Sequence, residues 1–331
     1  MNWRFALLAL GGFAVVYFAL VVCGVVPLES LAKMIQSAVG SPAGWRNTLR
    51  QATPLLILGA AVFVALRAGL FNIGADGQFV MGAMSGTAVA LANPGPVGMV
   101  LGMVSGALVG ALWALPAGWI KAYRGGHEVI TTIMLNNIAR VLSLWMVTGI
   151  MKDPDEQAAT TKYLPTETLL PLIYREKALQ INLALLLGIA AVIGLWFYLK
   201  KTVSGYELEA TGGNPTAARF AGIAVKQVTL KAMCLSGALA GFAGALQVLA
   251  YEERFYGGFS GGVGFDALGV ALLAAGSPIA LLPSALLFGI IAQGTTALSL
   301  DGVPKGMSGI LLGVLIIVFA AYRYRKEAAR D

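Results

Sequence analysis

Apolar residues run along this chain in blocks of 16 to 24, separated by short polar or glycine-rich interruptions. Ten such blocks can be marked, at 5–26, 51–71, 77–92, 97–120, 128–149, 181–199, 228–250, 262–277, 280–299 and 306–322. Helices of that length cross a hydrocarbon core about 30 Å thick, so the pattern predicts an all-α polytopic membrane protein folded as one transmembrane domain over 1–331. The third and eighth blocks, at about 16 residues each, are short for a full crossing, which is how discontinuous helices read in a sequence. Between the blocks lie two long segments expected outside the cell, 27–50 and 150–180, and one expected inside, 204–222.

Composition agrees with the pattern. Of the 331 residues 58% are hydrophobic and 12% charged, with a mean hydropathy of +0.78, whereas soluble domains carry roughly 25% charge. The net charge of +7 therefore reads as cationic loops rather than nucleic-acid binding. Lys121 and Arg124, Lys200 and Lys201, and Arg323, Arg325, Lys326 and Arg330 follow the fourth, sixth and tenth blocks. All three groups fall inside if both termini are cytoplasmic. Cys23 and Cys234 lie in apolar runs without metal-type spacing, and the first block is too long for a signal-peptide core, so an uncleaved span is expected.

Two rows of small residues predict close helix packing. Gly98, Gly102, Gly106 and Gly110 recur every four residues, and Gly237 and Gly241, with Gly244, repeat the device in the seventh block. Without Cβ atoms such rows let backbones touch.

Polar residues break the apolar pattern at three places. GLFNIGADGQ, residues 69–78, places Asn72, Asp76 and Gln78 between two apolar blocks. One reading is an aqueous turn in which Asp76 caps the following helix. The other is a broken helix within the membrane, allowed only where it is covered by protein or lines a cavity. Immediate resumption of apolar sequence at Phe79 favours the second. GGHEVITTIMLNNIAR, residues 125–140, sets Glu128, Thr132 and Asn136 on one helical face, as interhelical glue or as a substrate path. His127, the one histidine, reads as an interface residue rather than a metal ligand, and Arg140 requires an acidic or carbonyl partner. In 204–222, Asn214 before Pro215 starts a helix of about seven residues and Gly222 stops it. So short a helix needs a surface to bury Ala217, Ala218 and Phe220, either its own bundle or another protein.

Taken together, GLFNIGADGQ, HEVITTIMLNNIA and GGNPTAARFAGI, with SGALAGFAGAL at 236–246 and GFDALGVALL at 264–273, resemble permease subunits of bacterial ABC importers of the branched-chain amino acid, ribose and nucleoside group. The nucleoside and simple-sugar permeases are the most similar. The family more often has Glu at the position of Asp76, Asn at that of His127 and an aromatic at that of Asn137. The resemblance implies a multi-pass protein of the bacterial cytoplasmic (inner) membrane. It further implies a second permease in a homo- or heterodimer, two ATP-binding subunits and an extracytoplasmic substrate-binding protein. The 204–222 loop would then be the coupling element, with Glu209 and Arg219 as polar contacts around Asn214, Pro215, Ala217, Ala218, Phe220 and Gly222.

No G-x-x-x-x-G-K-[ST] phosphate loop occurs in the chain, so ATP hydrolysis would belong to a partner and no cofactor is expected. An ion-driven transporter with Asp76 and Glu128 as coupling carboxylates is the competing reading. An intramembrane enzyme lacks a Ser/His pair or a zinc signature to work with. Amides such as Asn72, Gln78 and Asn136 suit neutral, hydroxyl-rich substrates: a nucleoside, a sugar or a flavin-like derivative.

Overall fold

The computed structural model describes residues 27–300 except 177 and 275, with isolated positions beyond (11, 14, 17, 18, 21, 303, 306, 309–311, 313, 314 and 317). The first and tenth apolar blocks, Cys23 and the C-terminal cations from Arg323 to Arg330 lie outside the described residues apart from those positions. The chain is a mostly helical, polytopic membrane protein. Six helices among the described residues are long and apolar enough to cross a membrane.

Helices α1 (Pro27–Val39) and α2 (Pro42–Arg67) meet at Ser41, whose Oγ accepts the Gly44 N–H at 3.0 Å while Pro42 opens the first turn of α2. The segment 27–50, expected as an outer loop, is therefore helical. Its α1 part is amphipathic rather than wholly apolar, and it packs Met34 against Leu298 and Val303. Next come α3 (Ala75–Ala92), α4 (Pro96–Arg124) and α5 (Glu128–Thr148). The 150–180 loop ends in a hairpin, β1 (Leu172–Glu176) against antiparallel β2 (Leu179–Asn182), which runs into α6 (Leu183–Lys201). Asn182 joins the two, because its side chain accepts the Ala184 N–H and donates to Leu170 O.

Residues 203–213, expected as loop, form α7 (Val203–Gly213). Its polar sequence hides it from a search for apolar periodicity. Then follow α8 (Pro215–Phe220), α9 (Val225–Gln247), a π-turn over Val248–Glu252, the short α10 (Val263–Leu273) and α11 (Leu281–Ser299). At 11 residues, α10 rises only about 16 Å and cannot cross a bilayer alone.

Burial sorts these helices into a centre and a periphery. The apolar window of α2 is 78% buried and that of α9 67%, against 28% for α4. The two glycine rows meet each other where α4 crosses α9. A Cβ on Gly106 would lie 2.9 Å from Gly241 O and 3.1 Å from Gly82 O of α3, and one on Gly110 would lie 2.7 Å from Gly241 Cα. A Cβ on Gly237 would overlap Gly110 and Ala114. Gly102 continues the row against Gly86 O, and Gly98 packs back onto Asn93 and Ala90 where the chain turns from α3 into α4. Three backbones thus share one seam.

Candidate functional site

The junction between α2 and α3 is assembled from its own polar groups. Helix α2 ends when Gly69 adopts φ +73° and Leu70 N–H returns to Ala65 O, a left-handed reversal that favours glycine. The chain then turns back into the bundle. Asn72 donates from Nδ2 to Ser236 Oγ at 2.7 Å, and Ser236, which donates to Ala61 O, stands in the middle of α9. Asn72, Asp76 and Gln78 are 1%, 2% and 1% exposed. The aqueous-turn reading fails on those values, and the break lies inside protein.

The amides there are paired to one another. Asn72 Nδ2 donates to Gln78 Oε1 at 2.8 Å, and Gln78 Nε2 returns a bond to Asn72 Oδ1 at 3.2 Å. From α5, Asn136 holds both sides of the break: its Nδ2 donates to Ile73 O and its Oδ1 accepts the Gly77 N–H, each at 2.8 Å. Thr132, one turn earlier, donates to Glu128 O of its own helix, and its Cβ sits where Gly74 leaves room. Buried polar groups must be satisfied, and these satisfy one another.

Asp76 stands differently. Its Oδ2 accepts the Ser260 hydroxyl at 3.0 Å and its Oδ1 accepts the Gly264 N–H at 3.1 Å. The carboxylate is in the first turn of α3 and also bonds the first turn of α10, so two helix N-termini converge on one negative charge. A Cβ on Gly264 would overlap the Asp76 backbone, which fixes that approach. Around the carboxylate is a cavity of about 260 Å³ lined by Asp76, Val80, Asn136, Arg140, Ser143 and the loop from Gly258 to Gly262. Gly258, Gly261 and Gly262 all take positive φ, and Phe259 between them stacks on Phe79 with ring centres 5.5 Å apart. Arg140 has no ion-pair partner among the described residues. It lines the same cavity as Asp76.

The segment that precedes the 258–262 loop is held by backbone pairing. Thr161 N–H donates to Phe255 O, Leu164 N–H to Glu253 O and Gly257 N–H to Ala159 O, so the 150–170 loop is zipped to the segment after α9. Arg254 secures it, with Nη1 on Glu156 at 3.2 Å and its guanidinium 4.3 Å from the Tyr163 ring centre. The 257–262 loop, Ser260 and the half-buried Asp266 were not singled out from the sequence. The signal was present as GGFSGG beside a carboxylate, where four glycines read only as the edge of the eighth block.

The remaining candidates separate into two groups. Glu128 opens α5 and pairs with Lys121 Nζ at 2.8 Å, so it is neither free nor in the Asp76 cavity. His127 is exposed and caps α5 without a side-chain bond. At the end of α7, Asn214 accepts the N–H groups of Thr216 and Ala217 at 3.0 Å, Pro215 opens α8 and Gly222 follows it at φ +85°. Ala218 is buried against its own chain, whereas Ala217 and Arg219 are exposed and Phe220 is 90% exposed. Glu209, expected at a partner's rim, turns inward to Arg67 (3.0 Å from Nε) and Lys200 (3.4 Å).

The site is thus a helix break held inside protein, with half-length α10 meeting α3 at a buried carboxylate. Residues 45–320 match the family model of the branched-chain amino acid transport system / permease component, and the chain belongs to that family. The guanosine ABC transporter permease protein NupP of Bacillus subtilis is 33% identical over 281 residues, covering 83% of this chain and 80% of the relative. The glucose ABC transporter permease protein TsgB13 of Haloferax volcanii is 31% identical over 98% of this chain and 88% of its own length. The nucleoside ABC transporter permease protein NupB of Lactococcus lactis is 31% identical over 93% of this chain and 88% of its own. No solved structure matches the chain.

Proposed function

We propose that this chain forms the translocation path of an ATP-binding-cassette importer for a nucleoside or a simple sugar, passing the Asp76 cavity and driven by ATP hydrolysis on partner subunits. The observation that carries the reading is the cavity itself. Within a family of permeases, it sets a carboxylate, a guanidinium, an amide and a hydroxyl (Asp76, Arg140, Asn136, Ser143) around one space. Such a set both donates to and accepts from sugar hydroxyls. The named activities of the relatives, guanosine, glucose and nucleoside transport, share a ribose or hexose ring. At about 260 Å³ the space is just under the size of small-molecule sites, consistent with one half of a path completed by a second permease.

The same reading places ten spans with both termini in the cytoplasm of a bacterial cell, the hairpin end facing an extracytoplasmic binding protein, and α8 against the ATPase. Phe220, rather than the buried Ala218, is then the anchor, with Ala217 and Arg219 beside it. Replacing Phe220 with Ala in the assembled importer is expected to lower ATPase co-purification and substrate-stimulated hydrolysis while the melting temperature stays unchanged. Full co-purification would remove α8 from the coupling role. The substrate class is tested by uptake of labelled guanosine and glucose in cells expressing the chain together with its ATPase and binding-protein partners. Transport of neither, by a complex that hydrolyses ATP, would reject it.

A further inference from the structure

We infer that an anionic phospholipid headgroup binds where the C-terminal end of α4 meets the start of α9. Along its outer face α4 exposes Leu101, Leu108, Leu112 and Leu115 in a helical stripe that ends in Trp119 and Tyr123. An apolar stripe closing in Trp and Tyr is the pattern of a lipid-facing helix reaching the interface. The helix has 29 residues and rises about 44 Å, more than the roughly 30 Å hydrocarbon core, so these rings fall at headgroup depth.

The rings carry cations on both sides. The Arg124 guanidinium lies 5.6 Å from the Trp119 ring centre, Trp119 stacks on Tyr123 at 6.1 Å, and Lys226 Nζ lies 5.6 Å from the Tyr123 ring centre. Gly118 sets the spacing, since a Cβ there would meet Met233 Cβ of α9 at 3.0 Å. Beside this ladder is an open cleft of about 550 Å³ lined by Tyr123, Arg219, Lys226 and the 223–227 backbone. Arg124, Lys226 and Arg219 form no ion pair among the described residues, and the nearby Glu128 is already paired with Lys121. Two exposed cations on this ladder, Arg124 and Lys226, without a counter-charge among the described residues and at the end of a lipid-facing stripe, match a phosphodiester held between acyl chains and water. A bound headgroup would tie α4 to the segment that leads from α8 into α9. This inference is independent of which substrate the permease carries.

The test uses the full chain in neutral detergent, with lipid retention read by native mass spectrometry. Dioleoylphosphatidylglycerol is expected to be retained roughly tenfold more than dioleoylphosphatidylcholine, and to raise the melting temperature. Inorganic phosphate alone should do neither. In the double variant Arg124→Glu, Lys226→Glu the preference should fall by roughly tenfold. The pair Arg124→Lys, Lys226→Arg should keep it, which separates lost charge from lost fold. Equal retention of the two lipids by the unmodified chain overturns the proposal, as does an unchanged preference in the charge-reversed variant. Stabilisation by phosphate alone would make this an anion site rather than a lipid site. Loss of ATPase co-purification with lipid preference intact would make the cleft a protein surface, and either result rejects the inference.

Discussion

Two glycine-rich regions of this permease use the same residue for opposite ends. In the seam of α3, α4 and α9, glycines at four-residue spacing sit in regular helix and let three backbones touch, as where Gly106 meets Gly82 and Gly241. At the junction of α2, α3 and α10, Gly69 takes positive φ where α2 ends, and Gly258, Gly261 and Gly262 take it in the loop that leads into α10. At the seam the glycines meet backbone and alanine methyl groups, so close packing holds it. The junction exposes backbone ends and must satisfy them, with Asn136 bonding Ile73 O and Gly77 N, and Asp76 bonding Gly264 N. Rigidity at the seam and polarity at the junction therefore divide the work: one fixes the scaffold, the other can line a path.

The comparison is broken most forcefully at the seam. Gly241→Leu would drive a side chain into the backbones of Gly106 and Gly110; overpacking costs about 1–3 kcal/mol and occasionally more, and backbone obstacles put this change at the upper end. The expected outcome is loss of folded protein in detergent melts, and a stable Gly241→Leu protein would show that the seam yields. Next in size is Asn136→Leu, which leaves Ile73 O and Gly77 N–H without partners in the interior. A buried unsatisfied group costs about 1–3 kcal/mol, so the melting temperature should fall and uptake with it. Asp76→Ala removes the acceptor for Ser260 and Gly264 and is expected to cost about 1–3 kcal/mol. Its effect on uptake should exceed what that loss explains at equal membrane levels. The smallest stability effect belongs to Arg140→Ala. The residue is exposed and unpaired among the described residues, so its removal should change stability by no more than about 0.5 kcal/mol.

Much of the bundle was legible because apolar length and period survive in sequence. The block at 128–149 is α5 to within a residue, and the glycine period of α4 marks the face that packs on α9. Helices α1 and α7 were missed because neither is a continuous apolar run; α1 hides one face and α7 is largely polar. The polar centre was located but its wiring was not. Asn72 and Gln78 stand in one polar stretch of the sequence and Asn136 in another, and the bonds that join them to each other and to the bundle run across 6, 59 and 164 residues, the longer of which no local spacing reveals. Glu209 shows the same limit, since its partner Arg67 lies 142 residues away.

The central claim is that the Asp76 cavity is part of the transport path, and Arg140→Ala tests it with least disturbance to the fold. The measurement is the concentration dependence of substrate uptake by the assembled importer, at matched membrane levels and matched ATPase content. Loss of a charged hydrogen-bond donor to substrate should raise the half-saturating concentration or lower maximal uptake by about tenfold, with the melting temperature unchanged. Uptake indistinguishable from the unmodified protein would contradict the assignment and leave the junction a structural device only.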